Sequence, residues 1–187
     1  GAHDLQAVAV SKGPGSYTGL RIGVSVAKGI AYGASIPLLA IDTMLSMFHG
    51  VSGSVTKNGL PGTAGYFVPM LDARRMEVYY AIFDPAGRTV KATAAEVITE
   101  DSFSDIPEDM KIIFFGDGSG KCKGVIKHPG AVFFDDFRIS AAFMHIPVIR
   151  AFEEKRFEDV AYFEPFYLKD FIATKPVKNI TGSKFAL

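Results

Sequence analysis

The sequence predicts an α/β protein. Three observations support this prediction: a strand, helix, strand pattern over residues 7–41, a later group of β-rich segments separated by short turns, and a composition that is 48% apolar over 187 residues. A strand-helix-strand unit is nearly always a right-handed crossover between parallel strands. A chain of this length and apolar content can bury one substantial core or two small, closely coupled lobes.

The first unit begins with a short apolar strand, Ala7 to Val10, followed by a Gly-rich loop. A helix is predicted from Thr18 to Tyr32 and a second strand from Pro37 to Ile41, since apolar residues recur with the periods of these elements. A short helix is predicted from Thr43 to Gly50. Val51 to Gly65 is rich in Gly, Ser, Thr and Asn, which predicts an exposed loop and a boundary between lobes.

The middle of the chain predicts an antiparallel meander. Tyr66 to Leu71, Glu77 to Phe83 and Thr89 to Val97 are β-rich segments separated by turn residues. We therefore expect a first lobe over residues 1–52 and a second lobe over residues 53–187, the latter with a C-terminal extension.

The remainder of the second lobe alternates strands and helices. Lys111 to Gly116 and Ala131 to Phe134 are predicted strands flanking a short helical segment from Gly120 to Lys127. Ser140 to Glu158 is predicted to be the last long helix. The stretch EPFYLKDF and the lysine-bearing tail after it are expected to form a partly ordered extension.

Charge and cysteine content exclude several classes of protein. Twenty basic and twenty acidic residues balance, so strong independent binding to nucleic acid or to an anionic membrane is not expected. The single cysteine, Cys122, excludes an internal disulfide framework and favours a reducing compartment. With neither a membrane-length apolar run nor a secretory signal pattern, the sequence predicts a cytoplasmic protein.

The segment GPGS carries the first candidate site. Gly13 and Gly15 permit backbone geometry closed to other residues, and amide groups at a helix N-terminus can receive a phosphate. Gly13, Gly15, Ser16 and Thr18 are therefore a possible phosphate loop. A plain strand-to-helix turn is an equally good interpretation of the same residues.

The helix after this loop carries the second candidate site, a stripe of small residues. Gly19, Gly23, Ala27 and Ala31 recur every four residues and share one face. A second face carries Ile22, Val26 and Gly29, while Leu20, Val24 and Ile30 are expected to widen the apolar surface toward the sheet. A helix face that carries only small side chains allows another backbone to approach closely, whether that backbone belongs to a partner or to the chain's own sheet.

The stretch GPGSYTGLRIGVSVAKGIA closely resembles the signature of the TsaB (YeaZ) family. Three later stretches resemble the same family in order and position: SIPLLAIDTMLSM, MLDARRMEVYYAIFD and EPFYLKD. The resemblance covers residues 5–169 and lacks the family's opening strand, hairpin and first helix. AIDT at residues 40–43 imitates that opening but follows the Gly-rich helix, so Asp42 or Thr43 is predicted to be a helix N-cap and not a metal or phosphate ligand.

The resemblance implies an actin-like, Hsp70-like ATPase-superfamily fold (RNase H-like), with two α/β lobes of which the first is incomplete. It implies a non-catalytic subunit that binds and activates a TsaD-type catalytic subunit, together with a TsaE-type ATPase, to make N6-threonylcarbamoyladenosine at tRNA position 37. In that family the helix after the Gly-rich loop lies at the TsaB–TsaD or TsaB–TsaB interface. The interface residues expected here are Gly19, Ile22, Gly23, Val26, Ala27 and Ala31. A homodimer is expected when the partner is absent, with tRNA contacted only through the complex.

The alternative is an enzyme of the same superfamily, either a glycoprotease-like metallopeptidase or a nucleotide-dependent enzyme. The sequence favours neither, because no two of His3, His49, His128 and His145 lie within one helical turn and no zinc motif is present. Lysines on both sides of Cys122 could lower its pKa, although a surface cysteine without function is the better prediction. We expect no catalytic residue, metal or cofactor, apart from weak ATP or ADP binding in the complex.

A last group of charges lies at a predicted hairpin. Asp72, Arg74 and Glu77 are placed to interact as a structural ion-pair group or to dock a partner. The lysines of the tail, Lys169, Lys175, Lys178 and Lys184, are expected to be solvated, with contact to tRNA as the alternative.

Overall fold

The computed structural model describes residue 1, residues 4–52 and residues 64–168. The chain begins with strand β1 (Val8–Gly13), helix α1 (Tyr17–Ala34) and strand β2 (Leu38–Asp42). β1 pairs in parallel with β2, from Val8 opposite Leu38 to Gly13 opposite Asp42. This confirms the predicted β-α-β unit, whose strands form a separate two-stranded sheet.

Helix α1 has a defined cap at each end. The Ser16 hydroxyl accepts a hydrogen bond from the Gly19 amide and satisfies one donor that the first turn leaves open. At the other end Ser35 adopts a left-handed backbone with φ 55°, and its amide donates to the Ala31 and Tyr32 carbonyls. The buried face of α1 consists of Leu20, Val24, Ala27 and Ala31.

Helix α2 (Thr43–Ser52) starts directly after β2. The Asp42 carboxylate accepts a hydrogen bond from the Leu45 amide at 3.0 Å, so the predicted N-cap at Asp42 is confirmed. The predicted loop, Val51 to Gly65, begins later than expected because Val51 and Ser52 belong to α2. Gly65 already belongs to a strand, and residues 53–63 lie outside the described residues.

The larger sheet has five strands in the order β5-β4-β3-β6-β7. They are β3 (Ala64–Asp72), β4 (Glu77–Phe83), β5 (Thr89–Val97), β6 (Lys111–Phe115) and β7 (Ala131–Phe134). β3, β4 and β5 form the predicted antiparallel meander, whereas β6 pairs in parallel with β3 and β7 pairs in parallel with β6.

Both faces of this sheet are covered. One face packs against α2 through Met44, Met47, Phe48 and Val51, each at most 2% exposed. The other face packs beneath the segments that follow β5 and β6. The residues from Ile112 to Phe115 are fully buried. A strand that is covered on both faces is apolar at every position, which explains this continuous apolar run.

The predicted helical segments in the second half are shorter than expected. Only Gly120–Cys122 is helical within residues 120–127, as a single 3-10 turn. The long helix predicted from Ser140 to Glu158 is wrong: a 3-10 turn (Ala141–Met144) leads into α3 (His145–Glu153). Lys155 then takes a left-handed backbone with φ 54°, which ends the helical path.

Helix α3 returns to the first sheet, where Ala151 packs with Leu39 and Ile41 of β2. The C-terminal strap, residues 156–168, continues along the same half of the molecule, and its Glu158 amide donates to the Leu38 carbonyl. The predicted lobes, residues 1–52 and 53–187, stay a prediction. We propose that the first lobe consists of β1, α1, β2, α3 and the strap.

Candidate functional site

A cleft of about 570 Å³ lies between the Gly-rich loop and the β3–β4 connection. Its walls come from the Gly-rich loop, the β3–β4 connection and the end of the strap. The cleft brings together two groups that the sequence analysis treated separately, since Gly15, Ser16 and Thr18 lie across from Asp72 and Arg74. Gly13 and Glu77 are not among its lining residues.

The Gly-rich loop is held by the strap. Gly13 has φ +115°, and a Cβ at this position would lie 2.6 Å from the carbonyl oxygen of Phe166. The Phe166 amide donates to the Lys12 carbonyl at 2.7 Å, so the strap pairs with the strand just before the loop. Glycine is required here by backbone conformation and by close approach of another backbone. The phosphate-binding role of Gly13, Gly15, Ser16 and Thr18 stays a prediction.

The hairpin charges are arranged differently from the prediction. The ion partner of Asp72 is Lys121, whose Nζ lies 2.5 Å from Asp72 Oδ1 and donates to the Glu77 carbonyl at 2.7 Å. Arg74 meets Asp72 only through its backbone amide, at 2.7 Å. Lys121 is the ion partner of Asp72 that sequence reasoning missed, and the role of the charge cluster of Asp72, Arg74 and Glu77 stays a prediction.

Asp72 is ionised more readily than an ordinary aspartate. The hydrogen bond from Lys121 holds the pKa of the Asp72 carboxyl below its usual range, and the Arg74 amide adds to the effect. The Asp72 amide in turn donates to Asp117 Oδ1 at 3.0 Å, which ties the β3–β4 connection to the turn after β6. One wall of the cleft is thus a hydrogen-bonded unit bearing two carboxylates.

The stripe of small residues on α1 does not form one surface. Ala27 and Ala31 are 5% and 2% exposed, and they pack with Leu38 and with Val160 and Phe163 of the strap. The expectation that Ala27 and Ala31 contact a partner is therefore wrong, because the chain's own strand and strap cover them. Gly23 is half-buried beside Val10, and Gly19 is exposed.

A different face of α1 is open. Ile22 and Val26 are 60% and 57% exposed, and Ile30, expected to face the sheet, is 37% exposed. Gly29 and Gly33 lie on the same side, and a Cβ on either would meet nothing within 4 Å. We call Ile22, Val26, Gly29, Ile30 and Gly33 the open face of α1. Two of the predicted interface residues, Ile22 and Val26, lie on it.

The residues considered for catalysis have structural partners. Within the ranges 4–52 and 64–168, no three His, Cys, Asp or Glu side chains are grouped as metal ligands would be. His128 bonds the Ile106 carbonyl through Nε2 and accepts from the Gly130 amide through Nδ1. Burial lowers the pKa of His49, with Arg150 and His145 adding to the shift. His3 lies outside the described residues.

Cys122 is not the surface cysteine that was predicted. Its side chain is fully buried, and the thiol donates to the Gly118 carbonyl. Burial raises the pKa of the Cys122 thiol despite the nearby Lys121. The thiol therefore lacks the electropositive, accessible setting of a reactive cysteine.

The described residues contain no helix long and apolar enough to cross a membrane. Lys169, Lys175, Lys178 and Lys184 lie outside them.

Comparisons with known proteins identify the family. The family model described as TsaD, tRNA N6-adenosine threonylcarbamoyltransferase, matches residues 1–162. The tRNA threonylcarbamoyladenosine biosynthesis protein TsaB of Escherichia coli strain K12 is 29% identical over 183 residues, covering 92% of this chain and 74% of that protein. The chain belongs to the TsaD family of proteins and, within it, to the TsaB (YeaZ) group.

TsaB of Bacillus subtilis strain 168 is 31% identical over 127 residues, which cover 66% of this chain and 52% of that protein. Among solved structures, YeaZ from Pseudomonas aeruginosa superposes with a TM-score of 0.72 at 22% identity, over 90% of this chain and 76% of the other. A second structure, of an uncharacterized protein from the same organism with similarity to peptidase YEAZ, gives 0.73 at 21% identity with the same coverage. The predicted actin-like α/β fold class is confirmed.

Proposed function

We propose that this chain is a non-catalytic, TsaB-type subunit that binds and activates a TsaD-type catalytic subunit in forming N6-threonylcarbamoyladenosine at tRNA position 37. The relatives in Escherichia coli and Bacillus subtilis are named for the biosynthesis of this nucleoside, and the chain spans 74% and 52% of their lengths. Under this proposal a TsaE-type ATPase joins the same assembly. Within this assembly the chain encounters tRNA and binds ATP or ADP weakly.

The open face of α1 carries the proposal. Ile22 and Val26 are more than half exposed on a long helix. A helix that only covers its own sheet does not need apolar residues on its outer face, and a continuous exposed apolar patch indicates an interaction site. Gly29 and Gly33 leave the helix backbone accessible between them, which lets a second helix approach closely. We therefore assign the docking surface to Ile22, Val26 and their neighbours on this face.

The open face also accounts for the proposed homodimer. An apolar strip that repeats along one helix is self-complementary across a twofold axis, so two copies can cover it when no catalytic subunit is present. Homodimer and complex then compete for one surface. Adding the catalytic subunit should dissolve the homodimer.

The test is co-purification of a tagged TsaD-type subunit with this chain bearing Ile22→Glu and Val26→Glu. Both side chains are mostly exposed, so the variant should fold while losing the complex. The matched control is Val97→Glu, because Val97 is 61% exposed on the edge strand β5, outside the open face. Retention of the complex by the double variant would contradict the assignment of the surface.

The non-catalytic role has a separate test. The purified chain is assayed alone for bound metal, for peptidase activity and for ATP hydrolysis. We expect activity only after the catalytic subunit is added. If the chain alone shows activity, and a point substitution in the chain abolishes that activity, then the chain is an enzyme and the proposal is overturned.

A further inference from the structure

The connection between β3 and β4 holds two arginines in an unfavourable backbone conformation. Arg74 has φ 74° and Arg75 has φ 50°, both in the left-handed region that glycine and asparagine enter most readily. The Asp72 carboxylate secures this turn by accepting the Arg74 amide. Two neighbouring non-glycine residues in this region cost free energy that a Gly-containing turn avoids, so the arginine side chains call for an explanation other than folding.

Neither guanidinium has an ion partner within the part of the chain that the structure describes. Asp72 is paired with Lys121, and the Asp117 carboxylate accepts the Asp72 amide. Arg74 and Arg75 are both exposed, and Arg74 lines the cleft. Arg74 therefore presents a positive charge at the cleft, and the exposed Arg75 follows it in the same turn.

The interior of the cleft is aromatic. Tyr17, Tyr79 and Tyr167 line it, and the rings of Tyr17 and Tyr167 lie 5.1 Å apart at 41°. Tyrosine rings stack on unpaired bases, while guanidinium groups bind phosphate, and proteins that hold single-stranded nucleic acid combine the two. An acidic protein segment would use only the arginines, whereas a nucleotide would use both the arginines and the tyrosine rings.

The carboxylates in the same cleft fix the orientation of such a ligand. Asp72 and Asp117 would repel a phosphate placed inside, so the phosphate belongs at the arginine rim. A carboxylate oxygen accepts the exocyclic amino group of a cytosine or adenine base. A volume of about 570 Å³ lies within the range of small-ligand pockets and admits a single nucleotide.

We propose that this cleft binds one unpaired nucleotide of an RNA strand, with its phosphate on Arg74 and Arg75 and its base against the tyrosines. The inference rests on the proposed function in one respect, that tRNA is the RNA encountered. It extends that function by giving this subunit its own RNA contact.

The test measures RNA binding by Arg74→Asn combined with Arg75→Gly. Both new residues suit the left-handed backbone, so the turn should be at least as stable as before. The matched control is Arg138→Gln combined with Lys155→Gly, which removes two exposed positive charges outside the cleft, one of them also at a left-handed residue.

The probes are a fluorescent oligoadenylate of about eight nucleotides and an unmodified tRNA transcript, titrated by anisotropy over a range of salt concentrations. We expect the cleft variant to lose affinity about tenfold or more, and the salt slope to fall by about 0.7, because one single-strand phosphate contact is lost. The control should keep the affinity of the parent chain. Ultraviolet cross-linking should label Tyr17, Tyr79 or Tyr167.

Several outcomes would overturn the inference. They are equal losses in the two variants, cross-links elsewhere, or no binding by the parent chain. Competition by AMP at the affinity of the oligonucleotide would indicate a free-nucleotide site, and competition by oligoglutamate would indicate a protein partner. Co-purification with the TsaD-type subunit should be unaffected by Arg74→Asn and Arg75→Gly, so failure of this inference and failure of the proposed function are distinguishable.

Discussion

Val26 and Ala27 are neighbours in the sequence, but replacement by leucine should destabilise the protein only at Ala27. Val26 is 57% exposed on the open face, whereas Ala27 is 5% exposed and packs with Leu38, Val160 and Phe163. Leucine at either position changes only apolar bulk. Comparing the two leucine variants therefore distinguishes a residue of the protein interior from a residue of the proposed docking surface.

The expected magnitude follows from packing. Ala27→Leu adds three carbons, which would be worth about 2.4 kcal/mol if space existed for them. The site is closed by strand and strap, so overpacking should instead cost about 1–3 kcal/mol. For a chain of this length that is a Tm lower by roughly 2–12 °C. Val26→Leu adds one carbon in solvent and should change stability by no more than about 0.5 kcal/mol.

The assay is thermal unfolding by circular dichroism, followed by co-purification with the TsaD-type subunit below the Tm of each variant. We expect Ala27→Leu to lower the Tm and, where still folded, to retain the partner. If Ala27→Leu kept its Tm and lost the partner, the stripe of small residues would be the docking surface and the reasoning from burial would fail.

Three further predictions concern the interior and the strap. Burial raises the pKa of Asp42, so the folded state binds a proton more readily than the unfolded state, and stability falls as pH rises through that range. Asp42→Asn keeps the capping oxygen but removes the charge, so the Tm of the variant should exceed that of the parent protein at pH 7. In acid the two Tm values should become equal. An equal difference in Tm at all pH values would refute this prediction. Lys28→Met removes the bonds from Nζ to the Ala161 and Phe163 carbonyls, so the Phe166 amide should exchange hydrogen several-fold faster, while amides of β4 keep their rates. Cys122 should react with a thiol reagent only as fast as the protein unfolds, and rapid labelling of the folded chain would show that the site opens locally.

Local patterns predicted most elements of the fold. The strands Glu77–Phe83 and Thr89–Val97 begin and end where the sequence places them, because turn residues interrupt β-rich runs at both ends. The cap at Asp42 was likewise predicted from neighbouring residues. Signals of this kind extend over a few positions and do not depend on the rest of the chain.

The candidate site depended on distant residues, and the sequence could not supply them. Ala27 and Gly19 look alike in a stripe of small residues, but the strap covers only Ala27. Lys121 pairs with Asp72 although 49 positions separate them in the sequence, and no local sequence pattern predicts such a pair. Cys122 was predicted to be a surface cysteine, but it lies in a 3-10 turn and its side chain is fully buried.

The packing of α3 on β2 has a consequence for synthesis on the ribosome. β1 and β2 leave the ribosome early, but the residues that cover one face of their sheet are among the last described residues to be made. Two strands alone are marginally stable in water, so this sheet must wait for α3 before it can close. Until then Leu39 and Ile41 are natural targets for a chaperone, and translation stalled within α3 should release a product that is degraded rather than half a working protein.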